Sequence, residues 1–399
     1  MGRTRRKRNQ RKTRNYYICD DRNEIVLLNS WLAEHNMRRN EKLFLAVFND
    51  TGRGVLTKQK IQPGEELINL PLNLTINFTT IIMDKVFSKI FIENSKQCFL
   101  EYSFLKVNSE SNMWNIYLES LPKQYSVPYF LPKEILCHID ADILSVIVKQ
   151  KDIINSSYTI FSDILSNNVS THIPLQKLKK SFALPLFEWA YFTVNTRFSD
   201  NTKISLCPYL DMINHSTLAH LFSDIQFSIY TKNYFEPYTQ VFICYGDSHN
   251  LKLITEYGFF LPENDLDHVS FTFEDVNSFL KTKAIKLSQD QLSFISSHGL
   301  NKNLYIDCKG LSFNFYGLLM VVKYYYDRNT DVNRLIYSAA ICSNDKHLNE
   351  IVAPLVAQKL LTVKKSLCKL DSYDKCDILN NCRALLCQYV RILEKFNKC

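Results

Sequence analysis

Residues 206–216 read LCPYLDMINHS, an apolar approach that ends in Asp211, Asn214, His215 and Ser216. These side chains donate and accept hydrogen bonds, so the group either holds a polar ligand or caps a turn. Nothing nearby completes a metal site or a nucleophile triad. No GxGxxG follows a first strand, which argues against a Rossmann-type dinucleotide or methyl-donor site.

Three further regions belong beside it: NDTGRGVLTKQKIQPGEELINLP (49–71), NTRF (195–198), and QVFICYGDSHN with ITEYGFFLPEN (240–264). Glycine is informative here because the chain has only nine, and Gly52, Gly54, Gly64, Gly246 and Gly258 fall in these regions. They serve either a backbone that needs positive φ or a ligand's close approach, or they are ordinary turn residues.

In order and spacing these stretches resemble the SET-domain protein methyltransferases. More narrowly, they are similar to the class that includes the plant Rubisco large-subunit lysine methyltransferase. The resemblance covers about 43–264 by motif and 270–399 by helical character and position. It implies an α+β fold: a SET-domain core of small twisted β-sheets over 23–264, with a helical insertion at about 80–200. An all-α substrate-binding lobe over 270–399 follows.

The resemblance also implies S-adenosyl-L-methionine as cofactor and a protein as substrate, histone or non-histone, methylated on a lysine amine. Thr51, Gly52 and Arg53 would offer backbone contacts to the methionine end, and Asn214 and His215 would hold the amino and adenine groups. Arg197 matches a cofactor-site arginine, and Met113 sits where relatives place a hydrophobic residue against the cofactor. The phenol of Tyr245 would lie at the junction of donor and acceptor, and Tyr257 would line the target-lysine channel. Carbonyls of Thr196 and Asp211 would accept hydrogen bonds from the target amine. Each has a plainer alternative: a helix-terminal cation for Arg197, a packed tyrosine with a satisfied hydroxyl for Tyr245, a cap for Asp211.

The chemistry suits these residue types. A sulfonium, an adenine and an amino-acid tail call for carbonyl oxygens, an aromatic wall and polar main-chain groups. Transfer is an in-line displacement by a neutral amine, so alignment does most of the work. Delivering neutral lysine at pH 7 costs roughly 4–5 kcal/mol from a pKa of ~10.4. An apolar channel facing a sulfonium lowers that pKa, and no dedicated base is required.

The elements that must position these residues follow from periodicity. Residues 23–37 have helical apolar spacing, and 43–50, 54–61 and 65–71 read as strands joined by turn chemistry. Helical stripes then run to about 200, strands return at 222–231 and 240–246, and helices resume beyond 270, including 313–327 and 374–397.

The 399-residue chain is 46% apolar and 13% aromatic, enough for two domains with real cores. Its net charge of +8 comes from a basic leader, residues 1–20, in which Arg3, Arg5, Arg6, Lys7, Arg8, Arg11, Lys12 and Arg14 precede the first acid, Asp20. The body is neutral. The leader reads either as a nuclear-localisation or nucleic-acid-contacting tail or as a solvated arm without a partner. No stretch has the ~18 apolar residues of a membrane span. Twelve scattered cysteines without CxxC pairs point to reduced thiols, a nuclear or cytoplasmic location and no bound metal. A monomer is expected. A histidine acceptor, or a scaffold that binds cofactor or peptide with little turnover, are the alternatives.

Overall fold

The computed structural model describes residues 17–77, 79–80, 83, 113–168, 182–199, 205–223, 228–338 and 346–398. The basic charges at 3–14 lie outside the described residues. Backbone packing divides the chain into one unit of residues 1–125 and 153–247 and a second of 126–152 and 248–399. Residues 126–152, expected inside the helical insertion, therefore belong with the C-terminal part.

The first unit contributes β1 (Tyr17–Cys19), β2 (Arg38–Arg39), β3 (Leu43–Phe48), β4 (Gly52–Thr57), β5 (Glu66–Asn69) and β6 (Ile76–Asn77). After its helices come β7 (Phe198–Ser199), β8 (Ser205–Leu206), β9 (Asn214–His215), β10 (Leu221–Ser223), β11 (Ser228–Thr231) and β12 (Thr239–Ile243). They form small sheets ordered β1-β3-β4-β12-β9, β10-β11-β5-β2 and β6-β8-β7. β1 corrects the expected leader: Tyr17, Ile18 and Cys19 pair with Phe48, Val47 and Ala46. The basic run masked this strand, which is only three residues long.

β3 and β4 form because LFLAVF and GRGVLT combine β-branched and aromatic residues around a tight turn, with Phe48 opposite Gly52 and Leu43 opposite Thr57. The helix Asn23–Glu34 buries Ile25, Leu28, Trp31 and Leu32, a helical spacing that turns one face inward. That face meets the sheet core of Leu43, Leu45 and Val55, and Trp31 meets Trp114 edge-on at 5.8 Å between ring centroids.

The second unit carries the helices Phe273–Thr282, Gln289–Ser297, Phe313–Tyr324, Lys346–Leu370 and Asp377–Lys398. Their starts are written in the sequence: Thr272 with Asp275, and Ser288 with Gln291, form reciprocal capping boxes. The expected all-α lobe is corrected by a three-stranded sheet of β13 (His268–Phe271), β14 (Leu304–Asp307) and β15 (Gly310–Leu311). Val269, Phe271, Leu304 and Ile306 turn into the helical core with Phe315, Leu385 and Leu386. Four-residue strands carry too little alternation to stand out among long helical stripes. Among the described residues no helix is long and apolar enough to cross a membrane.

Within this unit a π-helical turn, Leu253–Tyr257, ends at Gly258 with φ +80°. A Cβ on Gly258 would lie 2.9 Å from the Ser126 carbonyl oxygen, so backbone conformation and space both demand glycine there. Gly258→Ala should cost about 1–3 kcal/mol of stability. Urea unfolding of the variant beside wild type measures this; an unchanged midpoint would contradict it.

Candidate active site

The pairing of β12 brings the distant motifs together. On one side β12 runs antiparallel to β4, with Val241 opposite Val55. On the other it runs parallel to β9, with Phe242 opposite Asn214 and Ile243 opposite His215. The turn before β4, the NH pair and the segment leaving β12 toward Tyr245 thus share one strand's length.

Two carboxamides pack the Thr51–Gly54 turn. The Asn214 amide donates to the Arg53 carbonyl at 2.9 Å and reaches the Thr51 carbonyl at 3.4 Å. The Thr51 hydroxyl donates to Gln240 Oε1 at 2.9 Å. Gly54 lies where any Cβ would run into Gln240 Nε2 and Asn214 Nδ2. This is a close approach that needs the absence of a side chain, not an unusual φ. Gln240 Nε2 is buried without a hydrogen-bond partner among the described residues.

His215 and Tyr245 form the next layer. The Tyr245 amide donates to His215 Nδ1 at 2.9 Å, so the imidazole proton sits on Nε2 and the ring is neutral. Burial lowers the His215 pKa further. The Tyr245 ring lies 5.1 Å from the imidazole, and its hydroxyl donates to the Ile213 carbonyl at 2.6 Å. Main chain and phenol of Tyr245 are therefore both fastened to the β9 segment.

Asp211 and Arg197 make a buried ion pair. Arg197, last residue of the helix Leu184–Arg197, places Nη1 3.3 Å from Asp211 Oδ2 and donates to the Asp211 carbonyl at 3.0 Å. The Tyr117 hydroxyl donates to the same carboxylate oxygen at 2.6 Å. Burial works against the Arg197 charge, but Asp211 together with Tyr125, Tyr117 and Tyr245 outweighs it and raises its pKa. Burial pushes the Asp211 carboxyl up, opposed by Arg197 and Tyr117. The cap reading does not describe Asp211, which lies inside a 3-10 turn, Leu210–Met212, with its carboxylate on Arg197 and Tyr117; Arg197 is a helix-terminal cation donating to a carbonyl and is also ion-paired.

The structure thus gathers Thr51, Gly52, Arg53, Asn214, His215 and Tyr245, with Arg197 and Asp211 paired in the same unit. Thr196 lies in the last turn of its helix, where its carbonyl falls outside the intrahelical ladder. The Asp211 carbonyl already accepts one hydrogen bond, from Arg197. Met113 is 44% exposed, and the buried residue there is its neighbour Trp114. Tyr257 belongs to the second unit, half-buried in the π-helical turn, where burial and then Glu256 raise its pKa. Sequence reasoning missed Asp20, Tyr117 and Gln240. Only Gln240 left a signal, a polar residue heading the apolar run VFIC. Among the described residues no group of three His, Cys, Asp or Glu side chains is placed to hold a metal ion.

The neutral His215 gives a pH dependence with a definite sign. Its folded pKa lies below the ordinary value of 6.5, so the unfolded chain binds the extra proton more readily. The contribution is fully present above pH 6.5 and is lost as pH falls toward the folded pKa. His215→Asn keeps an acceptor for the Tyr245 amide but cannot titrate. The stability difference between wild type and this variant should shift toward the variant below pH 6.5; a pH-independent difference in urea midpoints would refute the assignment.

No protein-family model matches the chain. It is 29% identical over 341 residues to SET domain-containing protein 4 of Artemia parthenogenetica, covering 79% of this chain and 83% of that protein. It is 24% identical over 303 residues to ribosomal lysine N-methyltransferase set11 of Schizosaccharomyces pombe, covering 71% of each. Its fold superposes on the structure of Rubisco LSMT bound to AdoMet with a TM-score of 0.67 at 16% identity, covering 94% of this chain and 91% of that one. The chain is a homologue of SET domain-containing protein 4, with the fold of the Rubisco LSMT SET structures.

Proposed function

We propose that the chain is a protein-lysine N-methyltransferase that uses S-adenosylmethionine. One observation carries this reading: the Tyr245 hydroxyl, held at 2.6 Å from the Ile213 carbonyl, stands on the segment that also fixes Asn214 and His215. Ribosomal lysine N-methyltransferase set11 and the AdoMet-bound Rubisco LSMT structure support it, as relatives in sequence and fold.

The residues present fit the cofactor. Gln240 Nε2 is a buried donor without a hydrogen-bond partner among the described residues, and with Asn214 Nδ2 it packs directly over Gly54. Thr51, Gly52, Arg53, Asn214, His215 and Gln240 would hold S-adenosylmethionine, which supplies a methyl group activated by the sulfonium. Tyr245 has committed its proton to Ile213, so its oxygen turns lone pairs toward electron-poor C–H or N–H groups. Such a contact aligns donor and acceptor without moving a proton.

The site's charges leave deprotonation of the lysine to solvent. Asp211 is tied up by Arg197 and Tyr117, and His215 Nδ1 by the Tyr245 amide. The amine must arrive neutral. In the same reading the acceptor is a histone or non-histone protein and the enzyme a monomer of the nucleus or cytoplasm. The leader Arg3–Arg14 would be available to nucleic acid. These last parts rest on the sequence, above all on its basic leader.

Two variants and a labelling assay test the reading. Wild type should bind S-adenosylmethionine in calorimetry and pass radiolabelled methyl to protein in a cell lysate, with mass spectrometry mapping it to lysine; the absence of binding, or of any labelling, would overturn the proposal. Tyr245→Phe should lower turnover roughly tenfold to a thousandfold, one polar transition-state contact of ~1.4–4 kcal/mol, with little change in cofactor affinity. Gly54→Ala should do the reverse. The added methyl displaces the ends of Gln240 and Asn214, so cofactor affinity should fall by about fivefold, the worth of one hydrogen bond of ~1 kcal/mol, and the thermal midpoint should fall with the weakened Asn214–Arg53 and Thr51–Gln240 hydrogen bonds.

A further inference from the structure

We propose that Asp20 is a positioning residue for the cofactor site: its buried carboxylate holds the Arg53 side chain and thereby the Thr51–Gly54 turn. The proposal rests on the methyltransferase reading above. Asp20 lies before the motif-bearing part of the sequence and touches none of the residues expected to meet the cofactor except Arg53.

The connections run as one chain. The Asp20 amide donates to the Leu45 carbonyl at 3.0 Å, which fixes the residue beside β3. Its side chain is only 1% exposed, and Oδ2 lies 3.2 Å from Arg53 Nε, an ion-pair contact without hydrogen-bond geometry, so the hold on Arg53 is one of charge. Arg22 closes the other side with Nε on Oδ1 at 2.7 Å and Nη2 on Oδ2 at 2.6 Å. Arg53 in turn donates from Nη1 to the Ser120 carbonyl. The carbonyl of this same Arg53 accepts from the Asn214 amide at 2.9 Å. One residue therefore carries Asp20 on its side chain and the Asn214 clamp on its backbone.

Electrostatics makes the carboxylate necessary. Arg53 feels repulsion from Arg22 and Arg197 and attraction from Asp20 and Asp211. Burial already works against the Arg53 charge, and without Asp20 it loses its larger attraction, leaving Asp211 alone against Arg22 and Arg197. Turning out to water relieves this, and doing so rotates the Gly52–Arg53 backbone away from Asn214. Asp20 itself is suited to stay ionised: burial works to raise its pKa, but Arg22 and Arg53 outweigh that and hold it below the ordinary value.

The test uses the full-length chain. S-adenosylmethionine affinity by calorimetry and thermal midpoints are measured for wild type, Asp20→Asn, Asp20→Ala, Arg53→Ala and Asp20→Ala with Arg53→Ala. Ile25→Val, a core trim in the next helix, serves as a control for general loss of stability. Asp20→Ala should raise the cofactor Kd about tenfold, within the ordinary range of coupling between distinct sites. Asp20→Asn should move it in the same direction, and it covers the case in which the alanine variant does not fold. Ile25→Val should lower the midpoint and leave Kd unchanged. In the Arg53→Ala background, adding Asp20→Ala should change Kd little, because the route runs through Arg53. Wild-type affinity in both Asp20 variants would overturn the proposal. So would an Asp20 effect that persists in full without Arg53, or an equal loss of affinity in Ile25→Val. A wild-type chain that does not bind the cofactor at all would instead overturn the methyltransferase reading, and this proposal with it.

Discussion

The buried ion pair of Arg197 and Asp211 is the constraint on which the rest of the first unit turns. A guanidinium taken out of water needs a close counter-charge, and a carboxylate so placed needs donors on both oxygens or a shift toward its neutral form. Arg197 meets Asp211 twice, on the carboxylate and on the carbonyl, and Tyr117 adds a hydroxyl. Such pairs contribute little net stability against an apolar replacement. What they contribute is registry: the end of the helix Leu184–Arg197 can meet the turn before β9 in one way only.

That registry propagates along a strand. The 3-10 turn holding Asp211 leads directly into β9, and β9 adds to β12 in parallel with Asn214 opposite Phe242. Tyr209, at φ +70°, opens this turn in a conformation unfavourable for a side-chain-bearing residue. It is held there by complete burial and by Arg39, whose guanidinium reaches its hydroxyl at 3.3 Å. Strain at this point is compensated by packing on both sides of it. The result is a short segment, Tyr209 to His215, in which the Tyr209 hydroxyl, Asp211 Oδ2, Asn214 Nδ2 and His215 Nδ1 each have a defined partner, while Asp211 Oδ1 is buried without a hydrogen bond among the described residues.

Much of this was legible in the sequence, for physical reasons that also mark where legibility stops. The strands β3, β4 and β12 and the helix Asn23–Glu34 declare themselves by periodicity and turn residues. The convergence of TGRG, NHS and YG came from resemblance, since no periodicity says that β12 pairs with both β4 and β9. Asp211 read equally well as a cap, because its partner Tyr117 lies 94 residues away. Asp20 was invisible for a different reason: it follows a basic run whose charge dominated the reading, and the strand just before it is three residues long. Met113 was placed by position in the motif alone, and its side chain is 44% exposed.

The arrangement also explains why a chain with so many titratable side chains can present a site without a general base. Each candidate base in the first unit's polar cluster is already committed: Asp20 to two arginines, Asp211 to an arginine and a tyrosine, His215 Nδ1 to a backbone amide. These contacts fix geometry, and geometry is what an in-line displacement by a neutral nucleophile requires. A free carboxylate beside the incoming amine would stabilise its ammonium form and so hold back the species that reacts. Tyr245, whose proton is already given to Ile213, offers oxygen lone pairs without adding a charge. The polar cluster orients while keeping its charges paired, and the chemistry follows from that balance.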